Sequence, residues 1–252
     1  MSKSPEGLPG SGEHPTGLKK GYDRLLPLVE AARSRLREIR PARLMQRSGC
    51  TPVRSDCTPV PAADDTYRLT FFWEDYIIRR SDFAVLRADT GQEATSFIQA
   101  LILTYLDGAD GTPPSGRWIA YRELPNGMFY ANAFRGYAEK RLVRELKADT
   151  VHPADTVHPA ADGLDAFHRA AKKLGARSIA IGDAGYAFQV LPHIHLAAVY
   201  WQGDEDFGAQ ASILFEDSAI HTMPTDGLAV LGTHLVDAIV RAAHETGGAR
   251  TR

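Results

Sequence analysis

Cysteine is scarce, with two in 252 residues, Cys50 and Cys57, both in the stretch "GCTPVRSDCTPV". Six residues separate them and Pro52 lies between, which fits neither a C-x-x-C redox pair nor a four-ligand zinc site. Reduced thiols in a loop are expected, while the doubling of Cys-Thr-Pro-Val leaves a disulfide or thiol switch as the alternative. Long hydrophobic runs are also missing. Nothing approaches the roughly 18 apolar residues of a membrane helix, and the opening residues "MSKSPEGLPGSGEHPTGLKK" lack a signal peptide's apolar stretch. A cytoplasmic protein without membrane contact is expected. Neither sign of charge dominates, because 29 Lys and Arg face 31 Asp and Glu. The resulting balance supplies no global field to draw in nucleic acid. The chain also lacks G-x-x-x-x-G-K-[ST], a strand-to-helix G-x-G-x-x-G, a G-x-S-x-G elbow and H-E-x-x-H. Their absence removes weight from the common nucleotide-binding, hydrolase and zinc-protease classes, and no cofactor or metal is predicted.

What is present reads as one main domain with attachments. Residues 1–20 are rich in Gly, Pro and Ser and predict a disordered tail. Residues 21–47 predict an amphipathic helical segment, in which Tyr22, Leu25, Leu26, Val29, Ala32 and Leu36 recur at helical spacing and Pro41 ends the helix. Its other face carries Arg33, Arg35, Arg37, Arg40, Arg43 and Arg47. No aromatic residues interleave with these arginines, which favours a solvated face over a nucleic-acid surface. Residues 48–66 read as a linker, and 67–246 as the core. Within the core, β-branched and aromatic runs from Thr66 predict two or three short antiparallel strands, followed by a largely buried helix through Phe97, Ile98, Leu101, Ile102 and Tyr105. "RWIAYRELPNGMFYANAF" predicts strand, Pro-Asn-Gly turn, strand. A helix around Glu139 to Lys147 comes next. The hexapeptide ADTVHP then appears twice, at 148–153 and 154–159, in what reads as a duplicated loop. A helix through Leu164 and Phe167, strands near 179–181, 186–190, 195–201 and 212–215, and a last helix capped by Thr225 or Asp226 complete the chain. Hairpins outnumber βαβ units, so the fold class is α+β, a mostly antiparallel sheet with helices packed on it.

The candidate chemistry lies at strand ends. His193 and His195 in "LPHIH" are two apart and would share a strand face, as two metal ligands need. The nine residues before Glu205 are too many for the H-x-H pattern of cupins, and a structural pair is the expectation. "QGDEDF" offers Asp204 and Glu205 in a turn, and Asp183 in "IGDAG" adds a third acid. Arg122 and Glu123 precede the Pro-Asn-Gly turn, and Trp118 and Trp201 lie on adjoining strands as a possible apolar wall.

Two blocks, "ALILTYLDGADGTPPSGRWIAYRELPNGMFYANAF" and "IAIGDAGYAFQVLPHIHLAAVYWQGDEDFGAQASILFEDSAIHTMPTDGLAVLG", give the chain a family likeness. Over residues 67–236 it resembles Domain of Unknown Function 3786, an uncharacterised prokaryotic family, most specifically in "GRWIAYRELPNG" and "VYWQGDEDF…ILFEDS". Some relatives carry a cysteine-rich iron–sulfur motif. This chain has no such motif, so no electron-transfer role carries over. The residues themselves favour a non-catalytic module that binds a small ligand or docks a protein partner. Trp118, Arg122, Glu123, Asp183, Trp201, Asp204 and Glu205 are its candidate binding residues. The alternative is a small enzyme using Asp183, Asp204 or Glu205 as acid and base, with Arg122 holding an anionic substrate.

Overall fold

A computed structural model describes residues 29–53, 66–148, 161–204 and 206–245. The expected disordered tail, most of the expected linker with Cys57, the duplicated hexapeptide beyond Ala148 and Glu205 lie outside the described residues.

Two antiparallel sheets, of strand order β1-β2-β3-β4 and β5-β9-β8-β7-β6, form the frame. In the first, β1 (Thr51–Pro52), β2 (Thr66–Phe71), β3 (Glu74–Arg79) and β4 (Ala84–Arg87) make a meander. The second contains β5 (Trp118–Ala120), β6 (Arg177–Ile179), β7 (Ala184–Leu191), β8 (Ile194–Trp201) and β9 (Gln210–Glu216). The α+β expectation holds. Helices cover both sheets, and one hydrophobic cluster joins Leu69 and Val85 of the first sheet to Leu196 and Ile213 of the second. A backbone bond from Phe72 N–H to the Val190 carbonyl (2.7 Å) ties the two sheets directly.

The N-terminal residues enter the same cluster. The chain is helical over 29–38 (α1), breaks, and resumes as α2 (Pro41–Ser48). Pro41 therefore both ends one helix and starts another, because a missing N–H costs nothing in a first turn. Ala32, Leu36 and Leu44 are buried. Residues 48–53, expected in the linker, include buried Ser48 and Cys50 and strand β1 on β2. Two arginines from the basic face hold the C-terminal end of α3 (Ser96–Gly108). Arg35 forms a bidentate pair with Asp107 (Nη2 to Oδ2 2.5 Å), and Arg47 donates to the carbonyls of Ala109 (2.5 Å) and Asp107 (2.8 Å). The last carbonyls of a helix have no intrahelical donor, so cations are favoured there. Helix α3 has Thr95 as its N-cap and buries every residue from Ala100 to Leu106.

The predicted hairpin after Trp118 does not form. Its first strand, β5, pairs with β9 instead, in the register Trp118↔Glu216, Ile119↔Phe215 and Ala120↔Leu214. The chain then turns through 3-10 segments at Tyr121–Glu123 and Gly127–Phe129. It continues as α4 (Ala131–Phe134), a π turn at Arg135–Glu139 and α5 (Lys140–Ala148). Packing decides this outcome. The Tyr121 ring stacks on Phe134 (4.4 Å, 18°), which drives the segment back as a helix, and a side chain on Gly127 would meet the Tyr121 carbonyl at 2.0 Å. A second correction concerns the histidines. Pro192 and His193 form the turn between β7 and β8, so His193 is not on a strand and shares no strand face with His195. The early 179–181 strand is observed at Arg177–Ile179, and α6 (Ala161–Lys173) precedes it. The final helix, α7 (Thr225–His244), has Pro224 at its N-cap and no side-chain cap. Thr225 instead donates to the Pro125 carbonyl (2.7 Å), fastening the start of α7 to the Pro-Asn-Gly turn.

Candidate ligand-binding groove

The site begins with a length mismatch. Strand β9 runs from Gln210 to Glu216, but β5 covers it only as far as Leu214. In an antiparallel ladder alternate residues turn both backbone groups to the same side. The Asp217 N–H donates to the Arg117 carbonyl on the β5 side (3.0 Å), and the Ile213 N–H donates to Glu139 Oε1 (3.2 Å). Residues 217, 215, 213 and 211 therefore face the same way. The Tyr200 carbonyl accepts from Asp183 N–H on the far side of β8, which makes Tyr200↔Ala211 a non-bonded pair and confirms the alternation. Ala211 thus aims its N–H and C=O past the end of β5, into a groove.

The helix that β5 failed to extend supplies the other wall. The π turn packs against β9, and such turns place side chains where a regular helix would not, often at functional sites. The cavity measures about 520 Å³ and is lined by Arg122, Arg135, Lys140, Glu139, Asn132, Gln210 and Ser212, over an apolar base that includes Phe134 and Ala211. None of the three cations has an ion-pair partner among the described residues. Glu139 is half-buried. Burial pushes its carboxyl above the ordinary value, while the Ile213 N–H and the Arg135 charge pull the other way. The arrangement offers net positive charge, one carboxylate of raised pKa and an open strand edge in a cleft of ligand size.

The sequence-predicted residues fall at several places. Arg122 lines the groove. Glu123 is exposed, and its Oε2 accepts from the Ala120 N–H (2.7 Å), closing the 3-10 turn. Trp118 lies opposite Glu216 and Trp201 opposite Gln210, so six residues of β9, or about 20 Å at strand spacing, separate the two indoles along the sheet. Asp183 accepts from the Gln202 N–H (2.8 Å), and Asp204 accepts from the N–H groups of Asp206 (3.0 Å) and Phe207 (2.6 Å). Both carboxylates brace turns at the Trp201 end of β8, as Asp commonly does. Neither lines the groove. Arg135, Glu139, Lys140 and Gln210 went unflagged in the sequence. The signal for the first three was the charged run after "YANAF", in which Arg135 and Glu139 are four apart, and Gln210 had none.

At the other end of β9 a second polar cluster is closed. Glu216 is 2% exposed, accepts the Gly116 N–H at Oε1 (3.0 Å), and brings Oε2 to 3.4 Å from His195 Nδ1. His193 donates its backbone N–H to Tyr105 Oη (3.2 Å), which donates to the Ser48 carbonyl (2.7 Å). Burial pushes the Tyr105 hydroxyl up in pKa and the His193 imidazole down. Among the described residues no three His, Cys, Asp or Glu side chains gather to hold a metal ion, and no described helix is long and apolar enough to cross a membrane.

The fold and groove define an antiparallel α+β protein with a cationic cleft at an uncovered sheet edge. The family model described as Domain of unknown function (DUF3786) matches residues 54–238, and the chain belongs to that family. No curated protein and no solved structure matches it.

Proposed function

We propose that the protein is a non-catalytic module that binds a small anionic ligand between β9 and the helical wall at 131–143. The observation that carries this reading is the convergence of Arg122, Arg135 and Lys140, all without ion-pair partners among the described residues, on one cavity of about 520 Å³. Positive groups in excess of the single Glu139 carboxylate around a concave site raise the local concentration of anions and pair with them on binding. Asn132, Gln210 and Ser212 add neutral donors and acceptors for orientation. The carboxylate-enzyme alternative finds less support at Asp183 and Asp204, whose oxygens already brace turns. Glu139 is the carboxylate that lines the groove and has a raised pKa, so an acid–base reaction would run through it.

The test is calorimetric titration of the protein with inorganic phosphate, pyrophosphate, propane-1,2,3-tricarboxylate and tetraglutamate. At least one polyanion should bind, more weakly as salt rises. Arg122→Ala and Arg135→Ala should each weaken it by roughly tenfold or more, as expected for lost charge-assisted hydrogen bonds. If none of the four anions binds, or if both variants bind as the native chain does, the reading is wrong.

A further inference from the structure

We infer that the natural ligand of this groove is an acidic peptide segment that adds to β9 as an extra antiparallel strand. The inference rests on the anion-binding reading above and names the class of ligand.

The groove has the shape of an interrupted sheet. Strand β5 occupies one half of the β9 edge, stops at Ala120 opposite Leu214, and departs through the 3-10 turn at Tyr121–Glu123. Along residues 210–213 of β9 no strand takes up the line it followed, and the Glu139 side chain reaches that edge only at Ile213. That length spans about 14 Å at 3.4 Å per residue, room for roughly four residues of an extended chain. A peptide there would prolong β5 in the same direction and with the same register rule. Uncovered strand edges template pairing with another chain, and most proteins blunt them. Here the edge is only half satisfied. Ile213 gives its N–H to a carboxylate oxygen of Glu139, whereas Ala211 directs N–H and C=O into the cavity with no β5 residue opposite. A small compact anion would satisfy the N–H alone, since the C=O needs a donor. An extended peptide supplies both at once.

Charge selects the sequence of that peptide. Arg122 stands where β5 leaves the edge, and Arg135 and Lys140 stand on the helical wall facing it. A strand laid between them projects alternate side chains to opposite faces, so acidic residues on the added strand can reach cations at both the end and the wall. Strand addition commonly divides the task this way, with main-chain pairing giving affinity and side-chain contacts giving specificity.

The experiment uses the full chain and five probes. These are acetylated and amidated tetraglutamate, the same peptide N-methylated at alternate amides in both possible phases, tetralysine, and propane-1,2,3-tricarboxylate. Tetraglutamate should bind, tetralysine should not, and one of the two N-methylated phases should bind at least tenfold more weakly than the parent. Amide hydrogen exchange at Ala211 should slow at least tenfold with peptide bound. Arg122→Ala and Arg135→Ala, with native melting temperatures confirmed, should weaken peptide binding. If the tricarboxylate binds and tetraglutamate does not, the strand-addition inference fails and the anion-site reading stands. It fails equally if tetraglutamate binds but both N-methylated phases match it or Ala211 exchange is unchanged. If neither of these anions binds, the strand-addition inference fails, and the anion-site reading falls with it when phosphate and pyrophosphate do not bind either.

Discussion

At each end of β9 a glutamate carboxylate accepts a backbone N–H that has no ladder partner, and the two ends are otherwise built in opposite ways. Glu216 takes the Gly116 N–H while 2% exposed, with His195 at 3.4 Å and a loop folded over it through the Ser115–Asp217 hydrogen bond. Glu139 takes the Ile213 N–H in a half-buried position, beside three cations that form no ion pair among the described residues and a cavity of about 520 Å³. At the closed end the carboxylate is buried, with one oxygen on the Gly116 N–H and the other near His195 but without a hydrogen bond. At the open end, charge and backbone are left to be satisfied from outside. The two ends differ through the length of one strand, because β5 covers three residues of β9 and leaves four.

That contrast is broken most severely by removing the packing that creates the open end. Phe134 is buried, stacks on Tyr121 and fits against Gly232, where an added side chain would lie 2.9 Å from its ring. Phe134→Ala should cost about 3–5 kcal/mol of unfolding free energy, and anion binding should fall with it because the helical wall loses its anchor. Urea unfolding and calorimetry on the same preparation measure both. A destabilised variant that still binds like the native chain would show that the wall is not what shapes the site. The next effect lies at the closed end. Glu216→Ala removes the buried acceptor of the Gly116 N–H and the carboxylate beside His195, which should cost about 1–3 kcal/mol, while Glu139→Ala should cost less because its carboxyl is only half-buried. Denaturation midpoints at constant slope compare them. Equal losses would mean that the two ends do not differ in the way their burial implies.

Much of the frame was legible in the sequence and little of the groove was. The meander of β2 to β4, α3 and α7 follow from local periodicity, since a period of two or 3.6 needs no knowledge of distant partners. Arg122 stood out because it precedes a turn signal. Arg135 and Glu139 did not, because a charged pair four apart on a helix has the pattern of an ordinary solvated face. Only the pairing of Ala120 with Leu214, set by long-range packing of Tyr121 on Phe134 and Phe215, brings that face onto a strand edge. The false hairpin has the same origin, for a good Pro-Asn-Gly signal yielded to a better distant partner. His193 and His195 misled for a local reason. Pro192 places the turn at 192–193, and a residue in a turn does not obey strand alternation.

The smallest expected effects are pH slopes, and their signs are opposite at the two ends. Burial, with Arg135 and the Ile213 N–H opposing it, raises the Glu139 carboxyl in the folded protein. Its contribution to stability is full below the ordinary Glu value of about 4.3 and is lost as pH rises through the raised folded value. Burial, then the neighbouring His195 charge, lower the His193 imidazole, with Asp110 opposing. That contribution is present above the ordinary His value of about 6.5 and is lost as pH falls through the depressed folded value. The native chain carries both slopes, so a single stability curve blends them. Glu139→Gln removes the first, and its stability relative to the native chain should improve as pH rises from about 4.3. His193→Gln removes the second and should improve relative to the native chain as pH falls from about 6.5. Difference curves of unfolding free energy, taken at half-unit steps between those limits, separate the two. A Glu139→Gln curve that stays flat or slopes downward would mean that solvent reaches the open end freely enough to cancel the burial there, and the contrast between the two ends of β9 would then rest on charge alone.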